Sequence, residues 1–338
     1  MTNIFSKFIL TLALAVAPLI TAQTSDRQAE GFKLERGGRV SIVNNAGQIT
    51  VRGWDRNTIE ASASDDESTQ LRVQITGDAR RARVSLSPER RYGAEVILRV
   101  FVPRWAEIES IEIHRGDVDV SDIEGAVSIA SHNGDVMASR TGSLKVSSRN
   151  GMIVARDVKG SFVGRNFSGD VQIIGASSAV DVSCFSGDII ARNIGGAITL
   201  NSTSGDIQID CAKDRVDVTA VSGTVTLAGI GGDVDANTTS GDVIFQGPIR
   251  ASGRYRLKSL SGEVSMSIQS DAPGFTATLA TYSGEIETAF PLKLDSPLQG
   301  PVNRRVIGRY GDGQAQISLD SFSGAARIIK GAAAKNCP

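Results

Sequence analysis

Along most of this chain apolar and polar residues alternate in runs of about five, and clusters of Gly, Ser, Asn and Asp separate the runs. Val171/Ile173, Ile189/Ala191, Ile207/Ile209, Val225/Leu227 and Val243/Phe245 each begin two residues after a glycine. A second set, Leu144/Val146, Val180/Val182, Ile198/Leu200, Val216/Val218 and Tyr255/Leu257, falls between them. Alternation at period two, bounded by turn formers, predicts short strands with one buried face. Long helical periodicity is absent from the sequence.

The glycines set a larger period. Ser-Gly-Asp followed by Val or Ile stands at Gly169, Gly187, Gly205 and Gly241, with Ser-Gly-Thr-Val at Gly223 and Ser-Gly-Glu at Gly262 and Gly284. Arg-Gly-Asp-Val and Asn-Gly-Asp-Val fill the same slot at Gly116 and Gly134, and from Gly151 to Gly241 every step is 18 residues. A fixed period of about 20 residues marks a stacked repeat. The predicted fold is all-β, a single-stranded parallel β-solenoid of the β-helix or β-roll kind, with two short strands in each coil of about 18 residues. Coils paired at about 4.8 Å put each apolar position on its own copy, and one coil alone cannot bury its inward face. Ser-Gly or Asn-Gly supplies the positive φ of the turns. The residue before Ser-Gly (Phe167, Phe185, Val221, Leu260, Tyr282, Phe322) is expected to seal the corner, an exposed aromatic stripe being the alternative.

The ends divide the chain. Lys7 to Ala22 reads as a secretory leader cleaved after Ala22, with an apolar run too short for a membrane span. Residues 23–338 then form one solenoid domain: 30–110 as irregular first coils, 111–290 as regular repeats, 291–309 as an inserted loop or hairpin, and 310–330 as a last coil.

Charge excludes one class of partner. With 36 basic and 37 acidic residues the net charge is −1, so no global field favours nucleic acid. The cysteines Cys184, Cys211 and Cys337 make no disulfide framework and are expected to be free thiols.

Four features carry potential chemistry. Asp117, Asp135, Asp170, Asp188, Asp206, Asp242, Glu263 and Glu285 follow the turn glycines as an acidic ladder. Each is expected to accept an N–H within its own turn, a bridging Ca²⁺ being the alternative. Asp181, Asp217, Asp235 and Arg215 share one outer face, as a glycan-cleaving pair of carboxylates would, but no long loop covers them and no cleft is expected. His114 and His132, 18 residues apart, are predicted to stack on adjacent coils as a turn pair, with Zn²⁺ as the alternative. In the register where an ice-binding surface needs a flat array of threonines the outward face shows Lys145, Asp181, Thr199, Asp217 and Asp235, and that reading is discarded.

Gly31-Phe32, Gly37-Gly38-Arg39-Val40, Asn45-Ala46-Gly47-Gln48-Ile49 and Gly53-Trp54-Asp55 resemble the opening of the bacterial putative-adhesin family, a domain family of unknown function. Val102-Pro103-Arg104, the serial Ser-Gly-Asp-Val turns, Gly311-Asp312-Gly313 and Ser323-Gly324 are similar to its later parts. The resemblance spans nearly all of the mature chain and lies in the order of these elements. It implies an exported single-domain β-solenoid and supplies no catalytic motif.

The expected function is that of an exported, non-catalytic adhesion, interaction or structural module of the cell envelope, in the periplasm, at the surface or secreted. No catalytic, cofactor-binding or metal residue is assigned, and no cofactor. The expected partner is an unidentified extracellular or envelope ligand, glycan or protein. The alternatives are a carbohydrate-active β-helix lyase or hydrolase, and an envelope-stress accessory protein.

Overall fold

The computed structural model describes residues 27–65, 72–87, 96–294, 304–331 and 337; the leader predicted over Lys7 to Ala22 lies outside them. The described residues form thirty strands and no helix, so none of their helices is long and apolar enough to cross a membrane.

Each regular coil gives one strand to each of two sheets. Val118–Ile123, Val136–Thr141, Ile153–Val158, Val171–Ala176, Ile189–Ile194 and Ile207–Ala212 follow one another in parallel down the first sheet. Val127–Asn133, Leu144–Asn150, Phe162–Ser168, Val180–Ser186, Ile198–Ser204 and Val216–Ser222 do so down the second. The expected ladder is in register, Val171 on Ile189, Ile207, Val225 and Val243 in turn, and every member is buried. Val180, Ile198, Val216, Val234 and Tyr255 form a second buried ladder. The two inner faces belong to one hydrophobic core that runs from Leu34 to Ile328. Each buried aliphatic side chain contributes about 1.5–3 kcal/mol relative to exposure, which is how a chain of short strands holds together. The fold is the parallel β-solenoid that the periodicity predicts.

The two corners of a coil differ. At the Ser-Gly corner Gly169, Gly187, Gly205, Gly223 and Gly241 have φ of 111–133°, and a Cβ on each of the last four would meet the carbonyl oxygen of the glycine one coil earlier. Glycine is required there twice, by dihedral and by close approach. At the opposite corner the left-handed position is held by Asp122, Arg140, Asp157, Asn193 and Cys211 at φ of 51–63°, and by Gly175 and Gly229 at 76° and 66°. The coils are open on that side, so side chains fit.

Both ends depart from simple stacking. The long strand Arg39–Trp54 contributes to both sheets, and antiparallel pairs surround it: Arg27–Lys33 with Thr58–Asp65, Thr58–Asp65 with Val96–Pro103, and Arg72–Asp78 with Arg81–Ser87. At the other end Ala315–Ser321 lies between Arg254–Ser261 and Phe275–Thr281, and Ala326–Lys330 lies between Val264–Ile268 and Ile286–Thr288. The final coil in sequence is therefore not final in space; it fills a slot beneath the coil that precedes it. Arg304–Tyr310 and Lys293–Leu294 close the second sheet as antiparallel strands. Such reversals leave fewer open edges for unwanted pairing.

Candidate binding surface

The pleat decides what the second sheet shows to solvent. In Val180–Ser186 the residues Val180, Val182 and Cys184 point inward, so Ser183 and Phe185 point out. The same parity turns out Phe167, Val221, Leu260, Tyr282 and Phe322, and these six side chains are 47–56 % exposed. The expectation that they seal the corner is corrected: the strand stays pleated up to Ser-Gly, and the corner is filled by the residue one position earlier. Asn166 donates there to the carbonyls of Gly169 and Gly151 at 2.7 and 3.1 Å, and Ser259 to that of Gly241 at 2.8 Å. Counting the alternation two residues past Val182 would have shown it.

Register gathers these residues into one column. From coil to coil it reads His114, His132, Arg149, Phe167, Phe185, Thr203, Val221, Thr239, Leu260, Phe322, Tyr282. The Phe167 and Phe185 rings stack in parallel at 4.8 Å and those of Tyr282 and Phe322 at 4.7 Å, while His114 and His132 meet edge to face at 4.4 Å. The histidines are thus neighbours, as predicted, but no group of three or more His, Cys, Asp or Glu suited to a metal ion exists among the described residues. Beside this column runs a second outward one: Ser147, Arg165, Ser183, Asn201, Thr219, Asn237. Between them lies an open trench in two adjoining parts of about 880 and 530 Å³, both bordered by Ser147, Ser148 and Phe167. The expectation of a face without a cleft is corrected accordingly; half-exposed rings form a wall that no covering loop is needed to build.

The acidic ladder is a rail between coils. The Asp117 carboxylate accepts the backbone N–H of Asp135 at 2.9 Å, and that of Asp135 accepts Met152 N–H at 2.8 Å. Asp170, Asp188 and Asp206 accept from Asp188, Asp206 and Thr224 at 2.9, 2.8 and 2.7 Å, and Asp242 from Glu263 at 2.8 Å. The expected partner in the same turn is replaced by the equivalent residue of the next coil, because the N–H after each glycine points along the stack. Met152 and Thr224 donate to the rail without extending it.

Two of the carboxylates singled out for glycan cleavage, Asp217 and Asp235, are held by arginines. Arg215 grips both oxygens of Asp217 at 2.8 Å, which holds its guanidinium pKa up. Asp235 accepts from Asn237 at 2.9 Å and from Arg256 at 2.8 Å. Charges neutralised in this way form a solvated ion-pair face.

At the opposite corner a trough of about 1150 Å³ runs beneath the left-handed positions, from Arg104 past Asp122, Arg140 and Asn193 to Pro248. Arg140 binds both oxygens of Asp122 at 2.7 and 2.8 Å and holds that carboxyl below its usual range. One end of the trough is occupied by Cys337, which is disulfide-bonded to Cys211. The expectation of three free thiols is corrected: only Cys184 is free, and burial pushes its thiol pKa up. The chain leaves its last coil at Gly331, whose N–H donates to Ile268 O at 2.7 Å, and Cys337 lies back at Cys211. That meeting across 126 residues of sequence has no periodic signal.

The Toastrack DUF4097 family model matches residues 21–229 and 168–328. Among solved structures, a "putative adhesin" from Bacteroides fragilis is 13% identical over 90% of this chain and 99% of its own, with a TM-score of 0.28. A "putative cell adhesion protein" from Clostridium sporogenes is 10% identical over 90% and 99%, with a TM-score of 0.20. A "putative adhesin" from Parabacteroides distasonis is 11% identical over 72% and 98%, with a TM-score of 0.29. No curated relative matches the chain. The two family matches overlap and together follow the stack from its first coils to its last, and the chain belongs to the Toastrack DUF4097 family.

Proposed function

We propose that this chain is an exported, non-catalytic interaction module of the cell envelope that holds its ligand by extended contact along the trench of the second sheet. The observation that carries the reading is the column of six half-exposed large apolar side chains on a rigid ladder. A folded chain rarely leaves large apolar groups in line at the surface unless something covers them. The Cys211–Cys337 disulfide supports an oxidising compartment outside the cytosol, in keeping with the leader expected at Lys7 to Ala22. Membership of the Toastrack DUF4097 family and the names of the solved structures support a role in adhesion or envelope structure.

The test is binding of labelled residues 23–338 to isolated cell envelopes. A Phe167→Ser/Phe185→Ser double variant is expected to lose tenfold or more in affinity, about 1.4 kcal/mol per decade, with its melting temperature unchanged. Lys159→Ser, in the opposite trough, is expected to bind as wild type. Equal binding by all three proteins overturns the reading.

A further inference from the structure

The ligand's chemistry is written on the two walls of the trench. One wall is apolar at Phe167, Phe185 and Val221; the other carries the hydroxyl and amide groups of Ser183, Asn201 and Thr219. Resting on the reading above, we propose that the trench binds an extended, uncharged polysaccharide lying along the stack axis. A sugar ring has an apolar C–H face and a rim of hydroxyl groups, so it satisfies both walls at once. An apolar surface with a few convergent polar groups is the general form of such sites.

Other polymers fit less well. A peptide that adds a strand needs free backbone groups at a sheet edge, whereas this is a sheet face whose N–H and C=O groups are spent on the coils above and below. A polyanion is opposed by Asp170, Asp188 and Asp206 on the rail and by Asp181 beyond the polar wall. Arg149 and Arg165 put positive charge at one end and Lys258 at the other, while Ser183, Asn201, Thr219 and Asn237 between them are uncharged.

The experiment is affinity electrophoresis of residues 23–338 in gels containing a soluble neutral β-linked glucan, a β-linked N-acetylglucosamine polymer, or polygalacturonate, with liposome flotation alongside. Retardation by at least one neutral glycan is expected, weakened fivefold or more in Asn201→Ala and in Phe185→Ala, both checked for an unchanged melting temperature. Polygalacturonate is expected to leave mobility unchanged. Absence of retardation by either neutral glycan overturns the glycan assignment, as does stronger retardation by the polyanion or flotation with liposomes. If envelope binding still depends on Phe167 and Phe185 in that event, the trench remains the contact surface and its ligand is a protein or lipid.

Discussion

Exchanging glycines at the two corners of a coil tests the architecture directly. At Gly187, φ is 133° and a Cβ would meet the Gly169 carbonyl oxygen of the preceding coil. An alanine there incurs backbone strain of about 1–3 kcal/mol. It also pushes two coils apart where Gly187 N–H donates to Ser204 O at 3.1 Å and Ile189 N–H to Asp206 O at 2.9 Å, each bond contributing about 1 kcal/mol net. Gly187→Ala should therefore cost about 3–5 kcal/mol. At Gly175, φ is 76° and the nearest atom to an added Cβ is Asp157 Oδ1 at 3.1 Å, the end of a side chain that can swing away. Asparagine tolerates this left-handed region, as Asn193 does one coil further on. Gly175→Asn should cost roughly 1 kcal/mol or less. Urea denaturation followed by far-ultraviolet circular dichroism gives the two differences. Amide exchange around residues 169–205 shows whether the loss is local, since stacked coils can unfold piecewise. Equal costs at the two corners would refute the argument that the neighbouring carbonyl, and not φ alone, makes glycine obligatory at the Ser-Gly turn.

Three further outcomes follow from the same contacts. Asp188→Ala removes the acceptor of Asp206 N–H and should cost about 1–2 kcal/mol, while Asp188→Asn keeps an acceptor and relieves carboxylate repulsion, so it should cost half of that or less; millimolar Ca²⁺ should raise the wild-type melting temperature no more than Mg²⁺ does. Arg140→Leu should destabilise most at neutral pH, because the Asp122 carboxyl, held low by Arg140, contributes stability above the unfolded carboxyl value of about 4 and loses it as pH falls through the lower folded value; a gap between variant and wild type that stays constant from pH 7 to pH 2 would contradict this. A reductant should lower the wild-type melting temperature to that of Cys211→Ser and leave the variant unchanged, the chain-entropy limit for so long a loop being about 5 kcal/mol; a reductant effect of equal size in both proteins would show that the Cys211–Cys337 bond is not its origin.

The sequence by itself determined whatever repeats at close range. Period-two alternation in Val171/Ile173 and Ile189/Ala191, with turn glycines every 18 residues, leaves parallel stacking as the one arrangement that buries every inward face. It also put His114 beside His132 and closed the coils at Ser-Gly. The outward parity of Phe167 and Phe185 was present in the same pattern and needed only to be counted through to the turn. Tertiary structure decided what depends on which coil lies next to which. The Asp188 carboxylate could be assigned to the Asp206 N–H only once the direction of that N–H along the stack was known. Nothing in the spacing of Ala315–Ser321 says that it slots between Arg254–Ser261 and Phe275–Thr281, since every coil presents the same ladder to its neighbour. Cys337 reaches Cys211 for a similar reason: a chain that leaves its last coil is bound by no period, and only its path through space selects the partner. The trench is likewise a property of two columns set side by side by register, each of which reads in sequence as scattered Ser, Asn, Thr and Phe.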